Sequence, residues 1–206
     1  MNIVIAGSGN VGRALGEGWR RAGHAVTFAM RDPDSAKAAE LKQHDFLVTS
    51  LDRATTNADA IVLAVPWEAV SPTIAAVGEL AGKILIDTTD PLKNRRELAI
   101  GFTDSGGETV ARLARGARVV KAFSTTGAAN MADSAYPGGR LMMAIAGDDA
   151  IAKQTVMALA AELGFEPIDT GALAMCRYLE PLAMIWINLA YVQGLGTQFG
   201  FALLRR

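Results

Sequence analysis

The stretch Asn2-Ile3-Val4-Ile5-Ala6-Gly7-Ser8-Gly9-Asn10-Val11-Gly12 decides the fold. An apolar, β-branched run enters a glycine loop of the form G-x-G-x-x-G, and a helical pattern leaves it. A strand before and a helix after are the context that separates this motif from a chance glycine turn. The glycines play separate roles. Gly7 permits the tight turn, and Gly9 lets the backbone approach a pyrophosphate that a Cβ would hold off. Gly12 allows the helix to pack close on the strand. The helix opening at Asn10 then turns unpaired N–H groups and the positive end of its dipole toward a phosphate. The stretch predicts a dinucleotide-binding strand–helix–strand unit.

Working outward, Val-, Ile- and Leu-rich runs at Asn2–Ala6, Ala25–Met30, Phe46–Thr49, Ala60–Val65, Lys83–Thr88, Arg118–Phe123, Leu141–Ala146 and Glu166–Asp169 read as strands. Several are continuously apolar, as strands covered on both faces are. Helical patterns lie between them at Asn10–Ala22, Ser35–His44, Glu68–Leu80, Glu108–Arg115 and Ala150–Leu163. This alternation predicts an α/β fold: a doubly wound, mostly parallel Rossmann-type sheet with helices on both faces. The stretch from Leu173 to Leu204 is patterned as a helical tail, split into two helices at Gly194 and Gly196 and covering the sheet edge or a partner subunit. Segment Lys93–Gly107 reads as a surface loop. With no long linker and no repeat, residues 1–206 are expected to form one domain.

Composition narrows the function. Charged residues make up 20 % of the 206-residue chain and the formal net charge is −1, which argues against nucleic-acid binding. Half the residues are hydrophobic, so a core can form without a metal or disulfide. The one cysteine, Cys176, cannot pair internally, and the longest apolar run, Leu182 to Val192, is broken by Asn188 and too short to cross a bilayer. A soluble, cytoplasmic protein is expected. No Cys/His cluster has metal-ligand spacing, and the two histidines, His24 and His44, fall away from the expected ligand crevice. No Tyr-x-x-x-Lys pair is present. Hydride transfer to an acceptor needing little proton help from the protein is the simplest inference, a flat redox ring stacked on a nicotinamide being one such acceptor.

The end of the second strand separates NAD from NADP. Where an acidic residue would hold a ribose 2′-OH the chain has Met30 and then Arg31. A guanidinium can hold a 2′-phosphate bidentately, with Ser35 or Lys37 as a further donor; the alternative is a solvated Arg31 paired with Asp32 or Asp34. Trp67 either stacks on a ring or anchors its helix. Lys93, Arg95 and Arg96 either attract an anionic acceptor tail or are merely solvated, and Arg177 with Glu180 reads as a helix-end ion pair.

Further segments carry a resemblance: Ala64-Val65-Pro66-Trp67, Asp87-Thr88-Thr89-Asp90-Pro91-Leu92, Lys121-Ala122-Phe123-Ser124-Thr125, Ala146-Gly147-Asp148-Asp149, Gly164-Phe165-Glu166-Pro167-Ile168-Asp169 and Arg177-Tyr178-Leu179-Glu180-Pro181. With the glycine loop and Arg31, these resemble the NADPH-dependent deazaflavin coenzyme (F-420) reductases over nearly the whole chain. They also resemble the NADPH domain of transmembrane ferric reductases, which use a flavin. The resemblance implies an NADP(H)-dependent oxidoreductase passing hydride between the nicotinamide and a deazaflavin or flavin ring; a non-catalytic NADP(H) sensor is the alternative. It implies Ser8, Gly9, Asn10 and Val11 at the pyrophosphate, Met30 and Arg31 at the 2′-phosphate, Val65 and Ala122 at the nicotinamide, and a homodimer joined through the tail helices; Gly7, Gly12, Ser35 and Pro66 complete the expected cofactor-binding set. Three positions depart from the family pattern. Met30 replaces a Ser or Thr, while Asp90 and Ser124 each stand where the family has Asn, near the expected ring site.

Overall fold

The computed structural model describes residues 1–94 and 97–206. In chain order the elements are β1 (Asn2–Ala6), α1 (Asn10–Arg21), β2 (Ala25–Met30), α2 (Ala36–Gln43), β3 (Leu47–Ser50), β4 (Ala60–Leu63), α3 (Trp67–Val77) and β5 (Ile84–Asp87). A small antiparallel hairpin follows, β6 (Leu92–Lys93) with β7 (Glu97–Leu98), and then α4 (Gly106–Leu113), β8 (Arg118–Lys121) and α5 (Ala128–Ala132). The chain continues through β9 (Met142–Gly147), α6 (Ala150–Glu162), β10 (Glu166–Gly171) and α7 (Cys176–Ile187).

The main sheet has the order β10-β9-β8-β5-β4-β1-β2-β3. β8 and β9 pair antiparallel, and every other pairing in this sheet is parallel. The interior strands are buried on both faces. Ile3 and Ile5 of β1 join one apolar cluster with Ala60 and Val62, and the intervening Val4 and Ala6 join the opposite cluster with Ile61 and Leu63. This is the doubly wound arrangement that continuous apolar runs call for.

Helix starts follow local chemistry. Ser35 accepts from the Ala38 amide at 3.4 Å to open α2, and Asp149 accepts from the Ala152 amide at 2.7 Å to open α6. Ser105 caps α4: the Glu108 amide donates to Ser105 Oγ at 3.2 Å, and that hydroxyl donates to Glu108 Oε2 at 2.7 Å. No side chain caps α1. Its buried face carries Leu15 and Trp19, and Trp19 Nε1 donates to the Leu159 carbonyl at 3.1 Å, tying α1 to α6.

Three expectations change. The 93–107 segment contains the β6–β7 hairpin and the start of α4 rather than a plain loop. The short α5 is not legible as a helix in sequence. In the tail a 3-10 turn at Leu173–Met175 leads into α7, which runs on as a π-helical turn at Asn188–Val192, and the residues beyond Val192 form no helix. Gly194 and Gly196 both adopt φ 75°, which stops the helix, and the chain beyond runs back along the sheet. There the Phe201 carbonyl accepts from the Met142 amide at 2.8 Å, and the Phe199 ring stacks on Trp186 at 5.3 Å. Among the described residues, no helix is long and apolar enough to cross a membrane.

Candidate active site

The parallel strands end together on one side of the sheet, and their C-terminal ends line up as β2, β1, β4, β5, β8. At β1 the loop turns sharply. Gly7 has φ 122°, and a Cβ there would lie 2.1 Å from the Ala64 carbonyl oxygen, so only glycine lets the two strand ends meet. A Cβ on Gly12 would lie 2.1 Å from the Gly7 carbonyl oxygen, which fixes how close α1 sits to the loop. Gly9 is different: nothing lies within 4 Å of a Cβ built on it. The fold leaves the space above Gly9 open.

An open cleft of ≈ 600 Å³ starts at this loop. Gly7, Ser8 and Gly9 form its floor, Val65 and Pro66 one wall, and Met30, Arg31 and Ser35 the far end. The cleft also takes in Ala29, Asp32, Lys37, Leu51, Ala64, Ala69 and Thr73, of which Lys37 alone stands out in the sequence as a candidate donor. Among the expected residues, Asn10, Val11 and Gly12 form the first turn of α1 beside the floor, while Ala122 is fully buried after β8 and lines no part of the cleft.

Arg31 is exposed and makes no ion pair among the described residues, so the pairing with Asp32 or Asp34 is absent. Asp32 instead accepts from the Asp34 amide at 3.0 Å, and its carbonyl accepts from Ser35 Oγ at 2.8 Å. Trp67 is half-buried and packs on the Val4-side cluster, the anchoring role of the two open to it. His24 lies at the opposite edge, its Nε2 2.6 Å from Glu162 Oε2. Lys93 is exposed on the β6–β7 hairpin, and Arg95 and Arg96 lie outside the described residues. A smaller depression of ≈ 240 Å³ lies by Gly18, Arg21 and Ala22 at the far end of α1, away from these groups.

Beyond the cleft, at the ends of β5 and β8, sequence reasoning missed a buried charge cluster. Lys121 is fully buried, and its Nζ lies 2.8 Å from Asp87 Oδ2, 3.0 Å from Glu180 Oε1 and 2.5 Å from the Thr89 carbonyl. Glu180 is no partner of Arg177: its Oε2 and Oε1 accept from the Gly106 and Gly107 amides at 2.8 and 2.9 Å, capping α4. Arg177 pairs with Glu108 instead, at 2.9 and 2.6 Å, and holds that carboxyl below the usual range. Burial works against the Lys121 charge, but Asp87 and Glu180 outweigh it and hold the ammonium above its ordinary range. Burial also pushes the neighbouring Cys176 thiol up, so it stays protonated. The available signal was a lysine closing an apolar strand pattern, since a buried ammonium demands carboxylates.

Comparison with known proteins agrees with this geometry. The family model for coenzyme F420-dependent NADP oxidoreductases matches residues 2–91. The F420-dependent NADP reductase of Methanothermobacter thermautotrophicus is 30% identical over 203 residues, covering 90% of this chain and 87% of that one. A crystal structure from Arthrobacter sp. FB24, provisionally named an F420-dependent NADP reductase, superposes with a TM-score of 0.91 at 32% identity and covers all of both chains. The rat metalloreductase STEAP3 is 32% identical over 182 residues, or 88% of this chain, but the chain spans only 36% of that protein's length. Fold, cleft and relatives together define an NADP-dependent oxidoreductase. Within that class the chain belongs to the F420-dependent NADP reductase family.

Proposed function

We propose that residues 1–206 form one NADP(H)-binding unit that passes hydride between the nicotinamide and a deazaflavin or flavin ring. The observation that carries this reading is the uncapped start of α1 facing an open cleft whose far end holds an unpaired guanidinium. The residues fit the dinucleotide. First-turn N–H groups of Asn10, Val11 and Gly12 have no helical acceptor and serve a pyrophosphate, which needs the room left above Gly9. Arg31 takes the 2′-phosphate, with Ser35 and Lys37 beside it; Met30 adds apolar contact but no donor. Val65 and Pro66 hold the nicotinamide end, and Ala122 supports it from behind, as a buried residue.

The nicotinamide supplies the hydride when bound. The chain's own part is to align the two rings and keep water out between them. The acceptor ring then sits past Val65, toward the ends of β5 and β8. The same reading puts the protein in the cytoplasm as a homodimer. Exposed Tyr178 and Ile185 on α7, with Tyr191 and Val192 in the turn after it, are the surface that supports a second copy.

The test is nucleotide selectivity. Arg31→Ala should weaken NADPH binding by about 1.5–3 kcal/mol and leave NADH nearly unchanged in calorimetry. Equal losses for both nucleotides would remove the phosphate role. Absence of NADPH oxidation above blank with deazaflavin, FMN and FAD would remove the hydride-transfer reading and leave a nucleotide sensor.

A further inference from the structure

At the ends of β5 and β8, almost every buried polar group is paired within the protein. Lys121 Nζ donates to the Thr89 carbonyl and lies within ion-pair distance of Asp87 and Glu180. Asp87 Oδ1 is taken by the Thr89 amide at 2.9 Å and the Thr89 hydroxyl at 2.7 Å, and its Oδ2 faces Lys121. Two buried oxygens remain without a hydrogen-bond partner among the described residues and without a cation beside them: Asp90 Oδ1 and Ser124 Oγ. They follow adjacent strands, since β5 pairs with β8 in register from Ile84↔Arg118 to Asp87↔Lys121. Unpaired buried polar atoms are costly, and two of them just past the C-terminal ends of neighbouring strands point to a ligand that completes them.

The backbone beside Ser124 is strained. Phe123 adopts φ 61°, a left-handed conformation that a bulky side chain rarely takes. Its amide has left the strand ladder and donates to Met143 Sδ at 3.1 Å. The ring is buried edge-on against Trp19 and Phe165, which is what holds the conformation in place. Such strain persists where the surroundings enforce it, and it aims Ser124 away from the path an extended strand would take.

Resting on the hydride-transfer reading above, we propose that Asp90 is the proton donor to the acceptor ring, with Ser124 as the hydroxyl that orients that ring. The next two strand ends after the Val65–Pro66 wall belong to Asp90 and Ser124, so the pair stands where the acceptor must lie. The charged groups facing Asp90 are Lys121 from β8, Glu180 from α7 and Asp87 from β5. These are two carboxylates and one ammonium already paired with both, so ionising Asp90 would add a third anion around a single cation. Burial first, then Glu180 and Asp87, push its carboxyl up to about 8 against the opposing pull of Lys121. Asp90 therefore holds its proton at neutral pH. The residue is partly exposed although Oδ1 is not, which gives that proton a route to exchange with solvent.

The step balances. NADPH gives up hydride and becomes NADP⁺, while the acceptor ring gains two electrons and negative charge on a ring nitrogen. The Asp90 O–H bond breaks, its proton forms the N–H bond, and the electron pair stays on the carboxylate. Solvent then returns a proton to Asp90. A positioned acid of this kind contributes roughly 10²- to 10⁴-fold.

Asp90→Asn keeps the shape, removes the proton and restores the Asn of the family pattern, so a loss would mark a donor particular to this chain. Two measurements test it on the intact protein. Carbon-13 NMR of aspartate-labelled protein should show one carboxyl titrating near pH 8 that is missing in the variant. Reduction of a deazaflavin by NADPH should fall as pH rises through about 8 in the wild type. In the variant it should be at least tenfold slower and flat with pH, while NADPH affinity stays within about twofold. A wild type that works while Asp90→Asn matches its rate and pH profile overturns this assignment alone, as does the absence of a carboxyl titrating in that range. A wild type that binds NADPH but reduces neither deazaflavin nor flavin removes the acceptor reading and this assignment with it.

Discussion

The strand ends of this sheet are used in two opposite ways. On the β1–β2–β4 side the chain leaves its groups unspent, with α1 uncapped, Arg31 unpaired and open space above Gly9. On the β5–β8 side it pairs nearly everything, closing Lys121, Asp87 and Glu180 into a network with no exposed surface to speak of. The first arrangement suits a ligand carrying its own charges. The second suits a rigid wall against which a ring can be held, and it defines Asp90 and Ser124 as exceptions. Substitutions on the closed side should therefore be read in folding, and those on the open side in binding.

The largest effect is expected at Lys121. Replacement by Met leaves Asp87 and Glu180 buried without their cation, a change worth about 3–5 kcal/mol of stability in urea unfolding. Near-wild-type stability of Lys121→Met would mean that water reaches the cluster. Gly9→Ala should do the reverse. Its φ of −76° accepts alanine and no atom crowds the added Cβ, so the melting temperature should hold or rise slightly, in line with about 0.4–1 kcal/mol. NADPH affinity should nevertheless fall more than tenfold, about 1.4 kcal/mol, because the methyl occupies the space of the pyrophosphate. Unchanged affinity would place the phosphates elsewhere.

Legibility in sequence followed the same division. β1, β2 and the start of α1 are readable to the residue because their pattern is local: a continuous apolar run, then glycines, then a helical face. Three other strands run too far in a sequence reading. The sequence reading carries them to Val65, Thr88 and Phe123, whereas the ladders stop at Leu63, Asp87 and Lys121. Beyond those points the chain leaves the sheet to build the site, through the Ala64 contact with Gly7 and the positive φ of Phe123, and hydropathy does not register such a departure. The cluster is illegible for another reason. Lys121 and Glu180 lie far apart along the chain, and Glu180 sits three residues from Arg177, which makes the wrong pair look natural. The tail misleads because an apolar composition resembles a helix until two glycines at positive φ end it.

Asp90 carries a pH-dependent effect. An unfolded chain releases this proton near 3.8, while the folded protein keeps it to about 8. Raising pH through that window therefore costs the folded state stability, and nothing further is lost above it. Asp90→Asn removes the loss. Its melting temperature should exceed that of the wild type at pH 8, and the margin should shrink as pH falls until the two converge near pH 4. A difference that does not change with pH would show that the carboxyl ionises normally.

The smallest effect is expected at Arg177, whose two bonds to Glu108 look as strong on paper as those of Lys121. The difference is water. The Arg177 side chain is 35% exposed, against 0% for Lys121, so solvent screens the pair and rehydrates whichever partner is left alone. Glu108 also keeps its bond from the Ser105 hydroxyl when the arginine is gone. Arg177→Ala should cost about 0.5–1 kcal/mol, and most of that should vanish in 1 M salt, where the screening length is roughly 3 Å. A loss as large as that of Lys121→Met, persisting in salt, would extend the closed network out to Glu108 and erase the boundary between a wall built for the fold and a surface free to respond to solvent.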